Sequence, residues 1–133
     1  MVLVDTNVLL DVVEDDRRWA SWSLEQLEST ALTDQLMINA VIYAELSVAF
    51  ARIEELEEII VQAALSVESI PREALFLAGK AFVDYRHRRG DKHGVLPDFF
   101  IGAHAAVAGC ALLTRDVGRY RTYFPNVRLI SPS

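Results

Sequence analysis

The stretch VLVDTNVLL, residues 2–10, determines which type of fold the sequence predicts. Its first three residues, Val2-Leu3-Val4, form a short apolar run, rich in β-branched side chains, that an aspartate ends. This run is too short for a helix and predicts a buried strand. Residues 6–13 then start a helix, which Thr6 or Asn7 can cap. A buried strand that leads directly into a helix is the beginning of a βαβ unit.

The same alternation continues outward from this stretch through the rest of the chain. Three further short apolar runs predict strands, at Leu36–Ile38, Ala111–Leu113 and Val127–Ile130. Helices are predicted over residues 17–30, 40–50, 53–65, 71–89 and 97–108, with Asn39 as a cap and with Gly90 and Gly109 as C-terminal stops. This order predicts an α/β fold, a three-layer α/β/α sandwich around a central, mostly parallel sheet of four to five short strands.

Length and composition exclude several classes of protein. The 133 residues are sufficient for one domain, and 52% hydrophobic and 24% charged residues are typical of a globular chain. The single cysteine cannot form an intrachain disulfide, and together with three scattered histidines it does not make a zinc finger. The longest nearly uncharged stretch, residues 99–113, is shorter than the ~20 residues of a membrane span. No basic region precedes the first apolar run, so we expect a cytoplasmic protein.

The charge is divided unevenly along the chain. The net charge is −6, from 13 basic and 19 acidic residues. Residues 1–79 carry 4 basic and 15 acidic residues and therefore −11, whereas residues 80–133 carry 9 basic and 4 acidic residues and therefore +5. A uniformly basic nucleic-acid-binding protein is excluded, but a basic rim beside an acidic site is not.

Four acidic residues occupy positions that suggest a shared site. Asp5 and Asp116 follow predicted strands, and the carboxyl ends of parallel strands meet at one edge of a sheet. Glu45 lies among apolar residues of a predicted helix, where a carboxylate is costly unless it is paired or binds a cation. Asp98 begins a nearly uncharged helix. Four carboxylates without histidine or cysteine form a hard-oxygen site, which suits Mg²⁺ or Mn²⁺ rather than Zn²⁺.

Each acid also has a purely structural interpretation. Asp5 and Asp98 can be helix caps without any other role, and Asp116 can be a turn residue before a glycine. Glu45 can pair with Arg52 or with an arginine elsewhere in the chain. These interpretations require four independent coincidences at one edge of the sheet. The shared site is therefore the hypothesis that we carry forward.

Four motifs in this order resemble a known family. DTNVLL at residues 5–10, AEL at 44–46, PDFFIGAHA at 97–105 and LTRD at 113–116 are similar to the signature blocks of the PIN-domain ribonucleases, and most of all to the VapC toxins of toxin–antitoxin pairs. The resemblance covers nearly the whole chain. It implies a single PIN-like domain over residues 1–133.

The resemblance also implies an activity and a site. The activity is that of an Mg²⁺-dependent endoribonuclease, with Mn²⁺ able to substitute, which cleaves RNA phosphodiester bonds, forms a homodimer and is neutralised by a cognate antitoxin. The residues implied to be both metal ligands and catalytic are Asp5, Glu45, Asp98 and Asp116. The residues implied to orient these acids are Thr6, Asn7 and Thr114.

A basic cluster lies outside these motifs, at Arg86, Arg88, Arg89 and Lys92. It can bind the phosphates of RNA, or it can be a solvated helix end where cations complement the helix dipole. Arg119 and Arg121 can contact an RNA backbone or simply pack over neighbouring tyrosines. Arg115 can bind phosphate or face solvent.

Other functions fit the sequence less well or remain open. A phosphatase of the haloacid-dehalogenase type requires an aspartate where Asn7 stands and a late lysine, but no lysine follows Lys92. A PIN-fold binding or regulatory protein, with a DNA-binding partner and little turnover, remains the alternative. For an antitoxin peptide, we expect a groove beside Glu45, near the helices of residues 41–50 and 53–65, and a basic side chain placed against the four acids.

Overall fold

The central sheet is parallel throughout the part of the chain that the structure describes. The structure is a computed structural model, and it describes residues 1–88 and 95–132. These contain five strands, β1 (Val2–Val4), β2 (Leu36–Asn39), β3 (Ser66–Glu68), β4 (Ala111–Leu113) and β5 (Leu129–Ile130). Their order across the sheet is β3-β2-β1-β4-β5, so the first strand lies in the middle. The prediction of an α/β fold with a parallel sheet is confirmed.

Seven helices connect these strands within the same ranges. They are α1 (Thr6–Val13), α2 (Ala20–Ala31), α3 (Ala40–Ser47), α4 (Ile53–Gln62), α5 (Arg72–His87), α6 (Leu96–Ala108) and α7 (Gly118–Tyr123). Successive strand residues point to opposite faces of a sheet. All three residues of β1 are at most 1% exposed, so helices cover the sheet on both faces, as the three-layer prediction requires.

Two elements were not predicted from the sequence. Strand β3 is short and polar at both ends, and its residues are only half-buried or exposed, so it lacks the apolar run that marks the other strands. Helix α7 has six residues and no side-chain cap, and it begins at a glycine. The five helices predicted after α1 are present, with bounds that differ from the prediction by up to three residues at either end. The predicted stop of α5 at Gly90 lies outside the described residues.

The helix caps agree with the sequence at two of three positions. Asn39 caps α3, because its Oδ1 accepts the amide N–H of Ile42 at 3.0 Å. Gly109 ends α6 with a φ of 66°, a left-handed conformation that glycine adopts without strain. Helix α1 was expected to begin with Thr6 or Asn7 as its cap. Instead, Asp5 caps it by accepting the Thr6 N–H at 2.8 Å.

In the described ranges, the structure contains no helix that combines the length and the apolar character needed to cross a membrane.

Candidate active site

Asp5 lies at the carboxyl end of the central strand, and its carboxylate accepts hydrogen bonds from four donor groups. One carboxylate oxygen accepts the Thr6 N–H. The other accepts the Thr114 hydroxyl at 2.8 Å, the Tyr120 hydroxyl at 2.9 Å and the Asn7 amide at 3.3 Å. Thr114 directly follows β4, the neighbour of β1, so the parallel register brings it next to Asp5. The predicted neighbours Asn7 and Thr114 thus contact Asp5 as expected.

The protein environment makes the charge on Asp5 costly. Its side chain is 4% exposed, and burial, with a further contribution from the charge of Asp98, raises the pKa of Asp5 to about 6. The hydrogen bonds from Thr114, Tyr120 and Thr6 oppose this increase. A buried carboxylate with a neighbouring carboxylate is in an environment that a cation would stabilise.

Tyr120 is a member of the site that the sequence analysis missed. It lies on α7, is 2% exposed and donates to Asp5. Burial and the charges of Asp5, Asp98 and Glu45 raise the pKa of the Tyr120 hydroxyl well above its ordinary value, so it remains a donor. The signal available in the sequence was its position four residues after Asp116, one helical turn beyond the last motif.

Glu45 reaches the site from α3. Its Oε1 accepts the Thr6 hydroxyl at 2.6 Å, so Thr6 contacts Glu45 with its hydroxyl and Asp5 with its amide. The alternative pairing with Arg52 is wrong, because Arg52 contacts Glu54 and Glu55. A cavity of about 320 Å³ lies beside Glu45, lined also by Thr6, Leu10, Glu14, Val48 and Ala49.

Asp98 reaches the site from the first turn of α6 and carries an ion pair. Its Oδ2 accepts a hydrogen bond from Nη1 of Arg119 on α7. Burial raises the pKa of Asp98, Arg119 opposes this effect, and the charges of Glu45 and Asp116 add to it. The side chain does not cap α6, so the capping alternative is wrong for this residue.

Asp116 is the most exposed of the four acids. Its backbone amide donates to the Thr114 hydroxyl at 3.1 Å, which fixes the loop, while its side chain faces solvent. Within residues 1–88 and 95–132, no three acidic, histidine or cysteine side chains form a ready-made metal centre. The donor chemistry nevertheless fits a hard divalent cation, because all four acids supply oxygen and influence one another electrostatically.

A second ionic cluster supports the loop that carries Asp116. Arg115 was expected to bind phosphate or to face solvent, but its guanidinium pairs with Asp11 of α1 through two hydrogen bonds of 2.8 and 3.0 Å. Asp11 is 3% exposed and also accepts the Ser23 hydroxyl at 2.7 Å. Trp19 covers the guanidinium, with its ring centroid 5.5 Å away. The pair joins residues 104 positions apart, which no local pattern reveals.

The basic residues predicted to bind RNA are only partly described. Arg86 and Arg88 are exposed at the C-terminal end of α5, where Arg88 pairs with Asp84 and lies 5.6 Å from the Tyr123 ring centroid. Arg89 and Lys92 lie outside the described residues. Arg119 and Arg121 differ from each other, because Arg119 enters the site whereas Arg121 is exposed.

A sizeable apolar groove lies apart from the position predicted for an antitoxin peptide. It has a volume of about 610 Å³ and lies between α1, α2 and the end of α4, lined by Leu9, Val12, Val13, Leu24, Leu27, Glu28, Ala31, Leu36, Phe50, Ile59, Gln62 and Ala63. A smaller cavity of about 270 Å³ lies between α3 and α4, the expected location. The apolar residues of α1 and α2 therefore provide more of this surface than α3 does.

Comparisons with known proteins agree with this fold. The sequence profile of the PIN domain matches residues 2–125. A chain of VapBC2 from Rickettsia felis bound to a promoter DNA fragment superposes with a TM-score of 0.75 at 18% identity, with full coverage of both chains. A chain of DNA-bound VapBC from Salmonella typhimurium shares the fold with a TM-score of 0.70 at 16% identity, over 98% of this chain and 96% of that chain. A chain of a toxin–antitoxin complex from Klebsiella pneumoniae does so with a TM-score of 0.64 at 22% identity, over 100% of this chain and 98% of that chain. No significant match among curated proteins is found.

Proposed function

The chain belongs to the PIN-domain family, and from this premise we propose that it is a metal-dependent endoribonuclease and the VapC-like toxin of a toxin–antitoxin pair. PIN domains are generally nucleases, which supports a hydrolase. The observation that carries the proposal is that shared or adjacent donors connect three of the acids. Thr6 contacts both Asp5 and Glu45, and the adjacent residues Arg119 and Tyr120 contact Asp98 and Asp5. We propose that these acids and Asp116 are the catalytic residues that bind the metal.

The proposed cofactor is Mg²⁺, with Mn²⁺ able to take its place. When bound, a divalent cation would activate water and neutralise charge on the phosphate. The chain's own groups have separate tasks. Thr114 and Asn7 hold the Asp5 carboxylate in one orientation, and Thr6 does the same for Glu45. The Tyr120 hydroxyl keeps its proton and remains a donor to Asp5.

A cognate antitoxin is the proposed protein partner. Three of the similar solved structures are complexes of toxin–antitoxin type, and the apolar groove of about 610 Å³ is a surface on which an apolar peptide segment can be buried. The acidic site beside Glu45 would attract a basic side chain of the same peptide. We further propose that RNA and antitoxin meet the protein in the cytoplasm.

A homodimer is also part of the proposal. Helix α5 exposes an apolar stripe that includes Phe76 and Val83, one heptad apart, and Phe76 is 69% exposed. A stripe of this kind is unusual on a monomer and suits contact with a second copy.

Purified protein and a structured RNA test the activity. We expect cleavage with Mg²⁺ or Mn²⁺, no cleavage with Zn²⁺, and none in a chelator. Asp98→Asn and Asp116→Asn should each reduce the rate by about a hundredfold or more, because metal catalysis supplies several kcal/mol of charge stabilisation. Glu73→Gln, which removes an exposed acid at the N-terminal end of α5, is the matched control and should cleave normally. Full activity in the chelator would exclude the metal mechanism.

The second candidate function is a PIN-fold regulator that acts through a DNA-binding partner. Two of the similar structures are complexes bound to DNA, which favours this candidate for the assembled pair. The same experiment separates the two functions. A protein that binds its antitoxin and promoter DNA but cleaves no RNA with any divalent cation would be the regulator alone.

A further inference from the structure

Arg119 contacts both the candidate site and helix α5, whose C-terminal end carries Arg86 and Arg88. It precedes Tyr120 on α7, and these two adjacent residues contact Asp98 and Asp5 respectively. The guanidinium carbon of Arg119 also lies 5.8 Å from the ring centroid of Tyr85 on α5. A cation is therefore held directly at one of the four acids by the protein itself.

This ion pair is placed so that it can exchange partners. The side chains of Arg119 and Asp98 are 20% and 30% exposed, so water and dissolved ions can reach both members of the pair. Asp98 lies in a partly buried site together with the acids Glu45 and Asp116, so a positive charge beside it reduces the repulsion among them. In the metal-free protein, Arg119 supplies that charge.

We propose that Arg119 and a divalent cation compete for Asp98, and that the released guanidinium binds a phosphate of the nucleic acid at the same site. This inference rests on the proposed function and assigns a role to a residue outside the four acids. A carboxylate oxygen that accepts the Arg119 hydrogen bond is less available as a metal ligand. The planar guanidinium that leaves it can form two parallel hydrogen bonds with phosphate oxygens.

A path for the nucleic-acid backbone leads from α5 to Arg119. Arg88 lies 5.6 Å from the ring centroid of Tyr123, and that ring lies 6.1 Å from the ring of Tyr85, on which Arg119 packs. Two guanidinium groups are thus joined by two adjacent aromatic rings. Phosphates of one strand would meet Arg88 first and then Arg119, which lies at the acids.

Metal affinity tests the competition without any enzymatic readout. Titration of Arg119→Gln with Mn²⁺ in a calorimeter should give a dissociation constant about threefold to tenfold lower than that of the wild type. Arg119→Lys keeps the charge and should stay near the wild type. Arg121→Gln removes the same charge from an exposed position on the same helix and should change the constant by less than about twofold. An equal or weaker affinity in Arg119→Gln would overturn the competition.

Steady-state cleavage of a fluorogenic single-stranded RNA tests the second role. Arg119→Gln should raise KM about tenfold and lower the salt dependence of binding by about one counterion, with Arg119→Lys partly restoring KM. Inorganic phosphate should inhibit the wild type more than Arg119→Gln, because the variant lacks the guanidinium that binds phosphate. Tighter Mn²⁺ binding with unchanged KM would overturn the phosphate role and leave Arg119 as a counter-ion only.

Different results would contradict the proposed metal-dependent function and the inference about Arg119. If neither the wild type nor Arg119→Gln binds Mn²⁺, the metal-dependent function is itself wrong, and the competition with it. If both bind Mn²⁺ equally well and cleave RNA, the function stands and the inference about Arg119 is wrong. Circular dichroism shows whether each variant is folded. Should Arg119→Gln be unfolded, Arg119→Met keeps the side-chain stem over Tyr85 for the same titrations.

Discussion

Tyr120 is a buried donor whose acceptor, Asp5, is the most buried of the four acids. We predict that Tyr120→Phe lowers the free energy of unfolding by about 1 kcal/mol, because one buried hydrogen bond is lost. It should also weaken Mn²⁺ binding by about tenfold, as removal of a group that orients a metal ligand does. Urea denaturation in a chelator and calorimetry measure the two effects.

The matched control is Tyr123→Phe on the same helix. Tyr123 is half-buried and contacts the rings of Phe99 and Tyr85, and these contacts survive the loss of the hydroxyl. Equal effects of the two substitutions on Mn²⁺ binding would show that the Tyr120 hydroxyl does not orient Asp5.

His104 makes the free energy of unfolding decrease at low pH. The Asn39 side-chain oxygen accepts the Ile42 amide, so its nitrogen donates to Nδ1 of His104 at 3.0 Å and requires a neutral ring. Burial lowers the pKa of His104 below 6.5, and the charge of Glu68 opposes this to a smaller extent. The unfolded chain therefore binds this proton more readily. The contribution to stability is complete above about pH 6.5 and is lost as the pH falls.

We predict that His104→Gln reduces the loss of stability between about pH 7 and 5, because glutamine can accept the Asn39 hydrogen bond but does not titrate. Urea denaturation at several pH values measures the slope. His87→Gln, at an exposed position of α5, is the control for the loss of a histidine. An unchanged slope in His104→Gln would show that other groups cause the acid sensitivity.

At the scale of elements, α6 and the end of α7 pack through a glycine. A Cβ added at Gly102 would overlap the ring of Phe124, which is 4% exposed and has little room to move. We predict that Gly102→Ala lowers the free energy of unfolding by about 1–3 kcal/mol. Gly79 in α5 has open space around its Cβ position, so Gly79→Ala should instead add up to about 1 kcal/mol through helix propensity. Thermal or urea unfolding compares them, and a neutral Gly102→Ala would contradict this account.

The Asp11–Arg115 pair joins α1 to the loop after β4. We predict that Asp11→Asn lowers the free energy of unfolding by about 2–3 kcal/mol, less than for a fully buried pair, because Arg115 is 30% exposed. Asp84→Asn, which breaks an exposed pair with Arg88, should cost at most about 0.5 kcal/mol. Equal costs in urea denaturation would mean that burial of Asp11 adds nothing to the pair.

The sequence predicted those elements whose signals are local. Four of the five strands are short apolar runs, and Asn39 and Gly109 mark helix ends through their own backbone chemistry. Strand β3 and helix α7 lack such signals. Strand β3 is only partly buried, and α7 is held in place by the Tyr120 and Phe124 side chains rather than by caps.

The same distinction applies to the candidate site. The four acids were found because each follows a strand or interrupts an apolar helix, and their role as metal ligands remains a prediction. Tyr120 was missed because it lies on the unpredicted helix. The partners of Arg115 and Arg119 were missed because Asp11 and Asp98 are distant in sequence, and a charge pair has no periodic pattern.

At the scale of the whole molecule, the groove between α1, α2 and α4 is separate from the four acids. We predict that Leu24→Asp weakens antitoxin binding by about a hundredfold, as loss of a central apolar contact does, while RNA cleavage by the free protein is unchanged. Leu24 is 45% exposed, so the fold tolerates the change. Leu32→Asp, 85% exposed and outside the groove, is the control for binding measured by calorimetry. Equal affinities of both variants would place the antitoxin elsewhere.

The central position of β1 determines when the hydrogen bonds around Asp5 can form during synthesis of the chain. Strand β1 pairs with β4, which comes much later in the chain, and Asp5 receives two of its hydrogen bonds from residues 109 and 115 positions later. Contacts of such separation form late, after most of the chain is available. A nascent chain that stops before Thr114 has the acids Asp5, Glu45 and Asp98 but neither donor. The full set of donors around Asp5 is therefore assembled only after residues 114–120 have been synthesised.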